Sequence, residues 1–306
     1  MNEPVIDLQG VSKSFGRTRV LDGLSLRVER GQTFAFLGRN GAGKTTTIRL
    51  LMGLLKRDDG AVRVLGLDPQ TAPLKLRARV GYLAEDQTMY GWMTVEELVR
   101  FTAAFYPTWD HDLALRRLRE FELPLRTKVG RLSKGQKVRV GLVLALAHRP
   151  ELVVLDDPAL GLDPIMRKQF NRDLVSHMQG AGTTIFYSSH LLDEVEPVAD
   201  AVAILDAGRL VRQADTDTLR ADVKQIVVAR DAGALFEGDR VLDRRTAGDE
   251  LAVVVENAER VCQRLAGEGA AFRVVDLNLD EIFEAYVVGR PEAEDGTTNR
   301  IPIAAD

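Results

Sequence analysis

The chain has 306 residues, 45% of them hydrophobic and 28% charged, and its 41 Lys and Arg nearly balance 45 Asp and Glu for a formal net charge of −4. At about 150 residues per domain this length suits two domains, and the composition excludes a mainly disordered chain. The mixed charge, with no long block of one sign, argues against nucleic-acid binding and against a membrane-surface tail. The one cysteine, Cys262, excludes an internal disulfide framework and any CxxC motif, and it suits a reducing compartment. The N-terminal stretch MNEPVIDLQG has neither a basic n-region nor an apolar h-region, so no secretory signal is expected. The most apolar helical stretch, Val140 to Ala147, falls far short of the ~20 residues of a membrane span. Any work at a membrane therefore passes through another polypeptide.

In chain order, Val5–Leu8 and Leu24–Val28 read as short strands around a turn-rich stretch containing Phe15-Gly16. Thr33–Leu37 reads as a buried strand, followed by a glycine-rich loop and a helix over Thr46–Leu55. Asp58-Asp59-Gly60 signals a turn before a strand at Ala61–Leu65. The character changes near Asp86. Thr94 and Glu97 form a capping-box pattern, and a second helix begins at Trp109-Asp110 and runs to about Phe121. The segment reads as a helical insertion, with Trp92 and Trp109 as packing residues. Strands return at Leu152–Leu155, Thr183–Tyr187 and Ala201–Leu205, with helices between, which argues for a largely parallel sheet. After Leu219 the pattern resets into a small α+β unit. Its strands are expected at Lys224–Ala229, Glu250–Val255 and Phe272–Asp276, and its helices at Asn257–Ala266 and Leu279–Val287. The expected domains are 1–219 with a helical subdomain at about 86–135, then 220–288, then a flexible tail at 289–306.

The run Gly38-Arg39-Asn40-Gly41-Ala42-Gly43-Lys44-Thr45 matches GxxxxGK[ST] between an apolar strand and a helix. Glycines let backbone N–H groups converge on phosphate oxygens, and the helix N-terminus adds its positive end. Lys44 then reaches the β- and γ-phosphates, and the Thr45 hydroxyl ligates Mg²⁺. A Rossmann fingerprint is absent, because Gly41 and Gly43 are followed by Thr46 where GxGxxG needs glycine. A second site follows from Leu152–Asp157, an apolar strand ending in two carboxylates. Asp156 at the strand tip suits Mg²⁺, and Asp157 then faces the γ-phosphate and polarises the attacking water. His111, His148 and His177 show no metal-ligand spacing, so zinc is not expected.

With these motifs goes Leu132-Ser133-Lys134-Gly135-Gln136, which resembles the LSGGQ segment of ABC transporter ATP-binding subunits. Phe15 fits that family's adenine-stacking aromatic, with Val20 beside it. Gly161-Leu162-Asp163 resembles the loop after the two-carboxylate strand, and Ser188-Ser189-His190 the switch histidine, which hydrogen-bonds the γ-phosphate. The resemblance covers about residues 4–215. Phe105–Trp109 and Leu279–Phe283 are similar to the bacterial export branch with separate membrane subunits.

The resemblance implies an α/β fold: a P-loop NTPase core with a mixed sheet, an antiparallel β subdomain, a helical insertion and a small C-terminal α+β unit. It implies ATP and Mg²⁺, and a dimer in which Ser133, Gly135, Gln136 and Asp163 of one subunit complete the site of the other. It also implies an integral membrane permease as partner and a cytoplasmic, peripheral location at the inner face of the membrane. The helical insertion's apolar surface is one place for a permease helix.

Three positions depart from the family pattern. Asp157 stands where glutamate is usual. It is shorter by one methylene, about 1.5 Å of reach, and a displacement near 1 Å can cost ~10²-fold in rate. Intact binding with reduced turnover is the expectation. Glu85 aligns where glutamine is common, at a position that contacts Mg²⁺ and the membrane partner, with Gln87 as a displaced candidate. Lys134 replaces glycine and either meets the opposite γ-phosphate or points to solvent. A non-transport ABC ATPase and a nucleotide-sensing subunit with weak hydrolysis remain as alternatives.

Overall fold

The computed structural model describes residues 3–178, 182–190 and 192–290. It forms two compact units, Met1–Thr216 and Asp217–Asp306. The first unit opens on β1 (Ile6–Phe15) and β2 (Thr18–Val28), then β3 (Thr33–Gly38), α1 (Lys44–Leu51), β4 (Asp59–Val64), α2 (Pro73–Arg77) and β5 (Val80–Leu83). Next come α3 (Val95–Ala103), α4 (His111–Glu120) and α5 (Lys134–Leu146). It continues with β6 (Leu152–Asp156), α6 (Pro164–Met178), β7 (Thr184–Ser189), α7 (Leu192–Val195), β8 (Ala201–Asp206) and β9 (Arg209–Asp215).

The central sheet has the order β5-β6-β7-β3-β8-β9, parallel except for β9, which runs antiparallel to β8. A separate antiparallel sheet, β2-β1-β4, holds the N-terminal hairpin. The central strands bury both faces, so they read as continuous apolar runs. Phe34 and Phe36 of β3 meet Phe186 of β7 at ring distances of 5.8 and 5.2 Å, and all three are fully buried. Because the parallel register aligns Leu37 with Ser189 and Asp156 with Ser188, the carboxyl ends of β3, β6 and β7 form one edge. In open α/β sheets that edge is where ligands bind.

The insertion contains α3, α4 and α5. Thr94 and Glu97 make the expected reciprocal capping box, and Asp110 caps α4 by accepting from the Leu113 N–H at 2.8 Å.

Several expectations are corrected. The stretch around Phe15-Gly16 shrinks to a two-residue turn, since β1 and β2 pair up to Phe15↔Thr18. Helix α1 starts two residues early and stops at Leu51 rather than Leu55. Gly53 follows at φ +62°, where a Cβ would lie 2.4 Å from the Pro69 carbonyl oxygen, so the chain turns away there. Trp92 is not a packing residue, being 67% exposed. It leans on Tyr90, which meets Phe101, which meets Phe105, and all four rings are exposed.

Helix α8 (Thr216–Asp222) begins at the last residue of the first unit, and the second unit contains β10 (Lys224–Ala229), β11 (Val241–Ala247), β12 (Glu250–Val255), α9 (Ala258–Gly267), β13 (Arg273–Val275) and α10 (Leu279–Val287). Its antiparallel order β11-β12-β10-β13 is the split β-α-β pattern, with a 3₁₀ run, Arg230–Phe236, in place of the first helix. Ile226, Val253, Phe236, Val261 and Leu265 form its core. Most of the tail expected beyond Val288 lies outside the described residues.

Candidate functional site

The phosphate-loop sequence leaves β3 at Gly38 and enters α1 at Lys44. Gly43 takes φ +112°, a conformation open to glycine, and a Cβ there would meet the Leu21 side chain at 2.7 Å. Ala42 is buried, with its N–H donating to the Arg39 carbonyl at 3.1 Å, so the loop closes on itself. Helix α1 has no acidic residue in its first turn, which leaves its positive end uncompensated for an anion. Lys44 is nearly buried. Its ammonium donates to the Gly38 carbonyl at 2.8 Å and lies 3.7 Å from Asp157 Oδ2.

Register explains the carboxylates. Asp156 ends β6 opposite Ser188 of β7, and the Ser188 hydroxyl donates to Asp156 Oδ1 at 3.0 Å. The Thr45 hydroxyl reaches the same oxygen at 3.4 Å. Burial holds the Asp156 carboxyl above its ordinary 3.8. Ser188 pulls it back, and the negative charges of Asp157 and Glu85 push it up again. Tyr82 of β5 is pushed up to about 12, by burial first and then by Asp156.

Asp157 adopts φ +42°, which aspartate tolerates better than most residues. Its N–H donates to both the carbonyl and the hydroxyl of Ser188, each at 3.1 Å. Its Oδ1 accepts from the His190 backbone N–H at 3.1 Å and lies 2.7 Å from His190 Nδ1.

One cleft of about 410 Å³ gathers Val20, Arg39, Asn40, Gly41, Gly43, Lys44, Thr45, Thr46, Glu85, Asp157, Leu160 and His190. Glu85 is on its wall, whereas the Gln87 amide turns back to the Ala84 carbonyl at 3.3 Å. Val20 also lines it. Phe15 does not: it is exposed at the end of β1, with the Lys13 ammonium 5.5 Å over its ring. Thr45, Asp156 and Glu85 offer only oxygen donors, the hard set that suits Mg²⁺, which commonly takes one or two carboxylates plus substrate phosphates. Two further carboxylates, Asp157 and Glu85, bear on Asp156, a negative surrounding that suits a cation, although among the described residues no three His, Cys, Asp or Glu side chains are gathered closely enough to hold a metal by themselves.

Ser133, Gly135, Gln136 and Asp163 are outside that wall. Ser133 and Gln136 form a reciprocal capping box at the start of α5, at 3.0 and 3.2 Å. Asp163 accepts from the Met166 N–H at 2.9 Å, capping α6 ahead of Pro164. Lys134 lies against its own chain: a Cβ on Gly161 would be 2.4 Å from its Nζ. A Cβ on Gly135 would be 1.5 Å from Met166 Cε. Sequence reasoning missed Ser188 as the residue that holds the Asp156 carboxylate and the Asp157 backbone N–H, and it missed Arg39, Leu160 and Met166. Ser188 had a signal, as the residue across a parallel register from a strand-tip aspartate.

The ABC transporter family profile matches residues 21–160. The bacitracin transport ATP-binding protein BcrA of Bacillus licheniformis is 36% identical over 218 residues, covering 71% of each chain. The ABC transporter ATP-binding protein YtrB of Bacillus subtilis is 31% identical over 292 residues, 94% of this chain and 99% of that one. The daunorubicin resistance ATP-binding protein DrrA3 of Streptomyces coeruleorubidus is 32% identical, covering 92% of this chain and 96% of that one. Among solved structures, an ATP-binding subunit of an ABC transporter superposes with a TM-score of 0.64 at 31% identity, over 71% of this chain and 92% of that one.

Proposed function

The chain belongs to the family of ABC transporter ATP-binding subunits, and from that premise we propose that it is the motor ATPase of an exporter. In this reading it pairs with a second ATP-binding subunit around two ATP molecules and drives a separate integral membrane permease. What supports the pairing is that Lys44, Thr45, Glu85, Asp157 and His190 share one cleft while the Ser133 loop is absent from its wall. One nucleotide would then meet both only across two subunits. ATP favours the closed pair and loss of the γ-phosphate releases it, a population shift of the usual NTPase kind.

Within the cleft, the backbone amides of 38–46 and Lys44 would hold the β- and γ-phosphates. Thr45, Asp156 and Glu85 would hold Mg²⁺, which neutralises phosphate charge when bound. Asp157 and His190 would stand at the γ-phosphate, and Phe15 with Val20 at the adenine. The export direction draws on relatives whose names carry bacitracin transport and daunorubicin resistance. Docking on the permease draws on the exposed row Tyr90, Trp92, Phe101 and Phe105, an apolar patch of the kind that marks an interface. Among the described residues no helix is long and apolar enough to cross a membrane, in keeping with a peripheral subunit at the inner face.

The test is ATP retention by equilibrium dialysis with magnesium, followed by the ATPase rate alone and with candidate permeases. Retention with a permease-stimulated rate is expected. Retention with a negligible rate under both conditions would instead favour a nucleotide-sensing subunit.

A further inference from the structure

Resting on the reading of Phe15 as the adenine's platform, we propose that Lys13, locked in place by Asp58, is a positioning residue for the nucleobase: it backs one face of the Phe15 ring and leaves the other to stack. The Lys13 ammonium lies 5.5 Å from the ring centroid, within the range in which a cation is drawn to a π face. The Lys13 side chain is only 12% exposed, while Phe15 is 49% exposed. One face of the ring is covered by charge, and the ring still presents a large open surface.

Asp58 keeps Lys13 there. The Lys13 Nζ donates to Asp58 Oδ1 at 2.6 Å, and Asp58 Oδ2 accepts the Ser14 N–H at 2.6 Å. The Asp58 N–H in turn donates to the Ser12 carbonyl at 3.0 Å. One carboxylate thus fixes both the ammonium and the backbone between Lys13 and Phe15.

Strand register ties this group to the cleft. Lys13 pairs with Leu21 and Ser14 with Arg19, so Val20 is the extra residue of a bulge in β2. Bulges re-aim side chains beside functional sites, and Val20 lines the cleft. Its carbonyl oxygen lies where a Cβ on Gly43 would be 3.2 Å away, and one on Gly208 nearer still. The hairpin that carries Lys13 and Phe15 is thereby seated against the phosphate loop, with Phe15 paired to Thr18 at its tip.

A cation draws π density toward itself, so the opposite face of the ring becomes less negative. An electron-rich purine stacks better on such a face. Lys13 also holds the ring in one orientation, so less side-chain freedom is lost on binding. Both effects act on the base and leave the phosphate contacts of Lys44 and the loop amides alone.

The experiment is equilibrium dialysis of the full chain with magnesium, using ATP and inorganic tripolyphosphate as separate probes. The variants are Lys13→Met, Lys13→Arg, Asp58→Asn, Phe15→Ala and the double variant Lys13→Met with Phe15→Ala. Phe15→Ala should weaken ATP retention by about 5- to 150-fold and leave tripolyphosphate unchanged. Lys13→Met should weaken ATP by about 3- to 10-fold, again with tripolyphosphate unchanged. Asp58→Asn should shift ATP in the same direction, and Lys13→Arg should keep most of the affinity, since a guanidinium also lies well on a ring. The double variant should be no weaker than Phe15→Ala, because the lysine acts through the ring. Wild-type ATP retention in Lys13→Met, beside a loss in Phe15→Ala, overturns the role of Lys13 alone. So does an equal loss of ATP and tripolyphosphate in Lys13→Met, or a double variant in which the two losses multiply. Undiminished ATP retention in Phe15→Ala overturns the platform reading itself, and the role of Lys13 with it.

Discussion

Ser188→Ala is the sharpest probe of how the strand edge holds its carboxylates. Ser188 is fully buried and Asp156 is 1% exposed. The substitution deletes the 3.0 Å bond to Asp156 Oδ1, leaving the Thr45 hydroxyl at 3.4 Å as the contact to that oxygen. The Asp157 N–H keeps its bond to the Ser188 carbonyl, so no second group is orphaned. A hydrogen bond to a buried charged group is worth about 1.5–3 kcal/mol. For a unit of this size 1 kcal/mol shifts the unfolding midpoint by about 2–4 °C, so a fall of roughly 3–12 °C is expected. Ser188→Thr keeps the hydroxyl and should fall less. The assay is thermal unfolding with and without Mg²⁺ and ATP. The nucleotide complex should recover part of the loss, since in the proposed site the cation would meet the same carboxylate. A Ser188→Ala midpoint within 1 °C of wild type would refute the view that this hydroxyl carries Asp156.

His148 gives a pH test. It is 2% exposed and stacks on Tyr106 at 4.1 Å, and burial holds its imidazole below the ordinary 6.5. The folded chain thus keeps it neutral while the unfolded chain protonates. Stability is full above pH 6.5 and falls below it, by up to ~1.4 kcal/mol per pH unit, until the lowered folded value is reached. Urea unfolding of His148→Phe should show a shallower acid-side loss than wild type between pH 7 and 5, and equal slopes would count against it. Gly135→Ala drives a Cβ to within 1.5 Å of Met166 Cε, and overpacking of this kind costs ~1–3 kcal/mol. Met166→Ala should relieve that cost in a double-mutant cycle of unfolding midpoints, and purely additive effects would refute the clash. Lys44→Met removes the ammonium proposed to face the phosphates and should weaken ATP retention by about 10- to 150-fold by dialysis, the equivalent of 1.5–3 kcal/mol. Undiminished retention would remove Lys44 from the site.

Much of the site was legible without coordinates, because its chemistry is local. A glycine-rich run between an apolar strand and a helix, and a strand ending in two aspartates, each carry their meaning within a few residues. The same holds for the caps at Thr94 and Asp110, where a side chain bonds an N–H three positions on. Some edge strands were not legible. Arg209–Asp215 and Val241–Ala247 carry too little apolar patterning, and they become strands through pairing with β8 and β12.

The chain's own order of residues therefore determined the family resemblance, the phosphate loop and the candidate carboxylates. Tertiary structure alone decided what those groups touch. It set Ser188 against Asp156, turned Asp157 onto His190 and Lys44, and laid Lys134 over Gly161. It also left Trp92 on the surface. The physical reason is distance along the chain: these partners are brought together by sheet register and helix packing, which pattern and spacing do not encode.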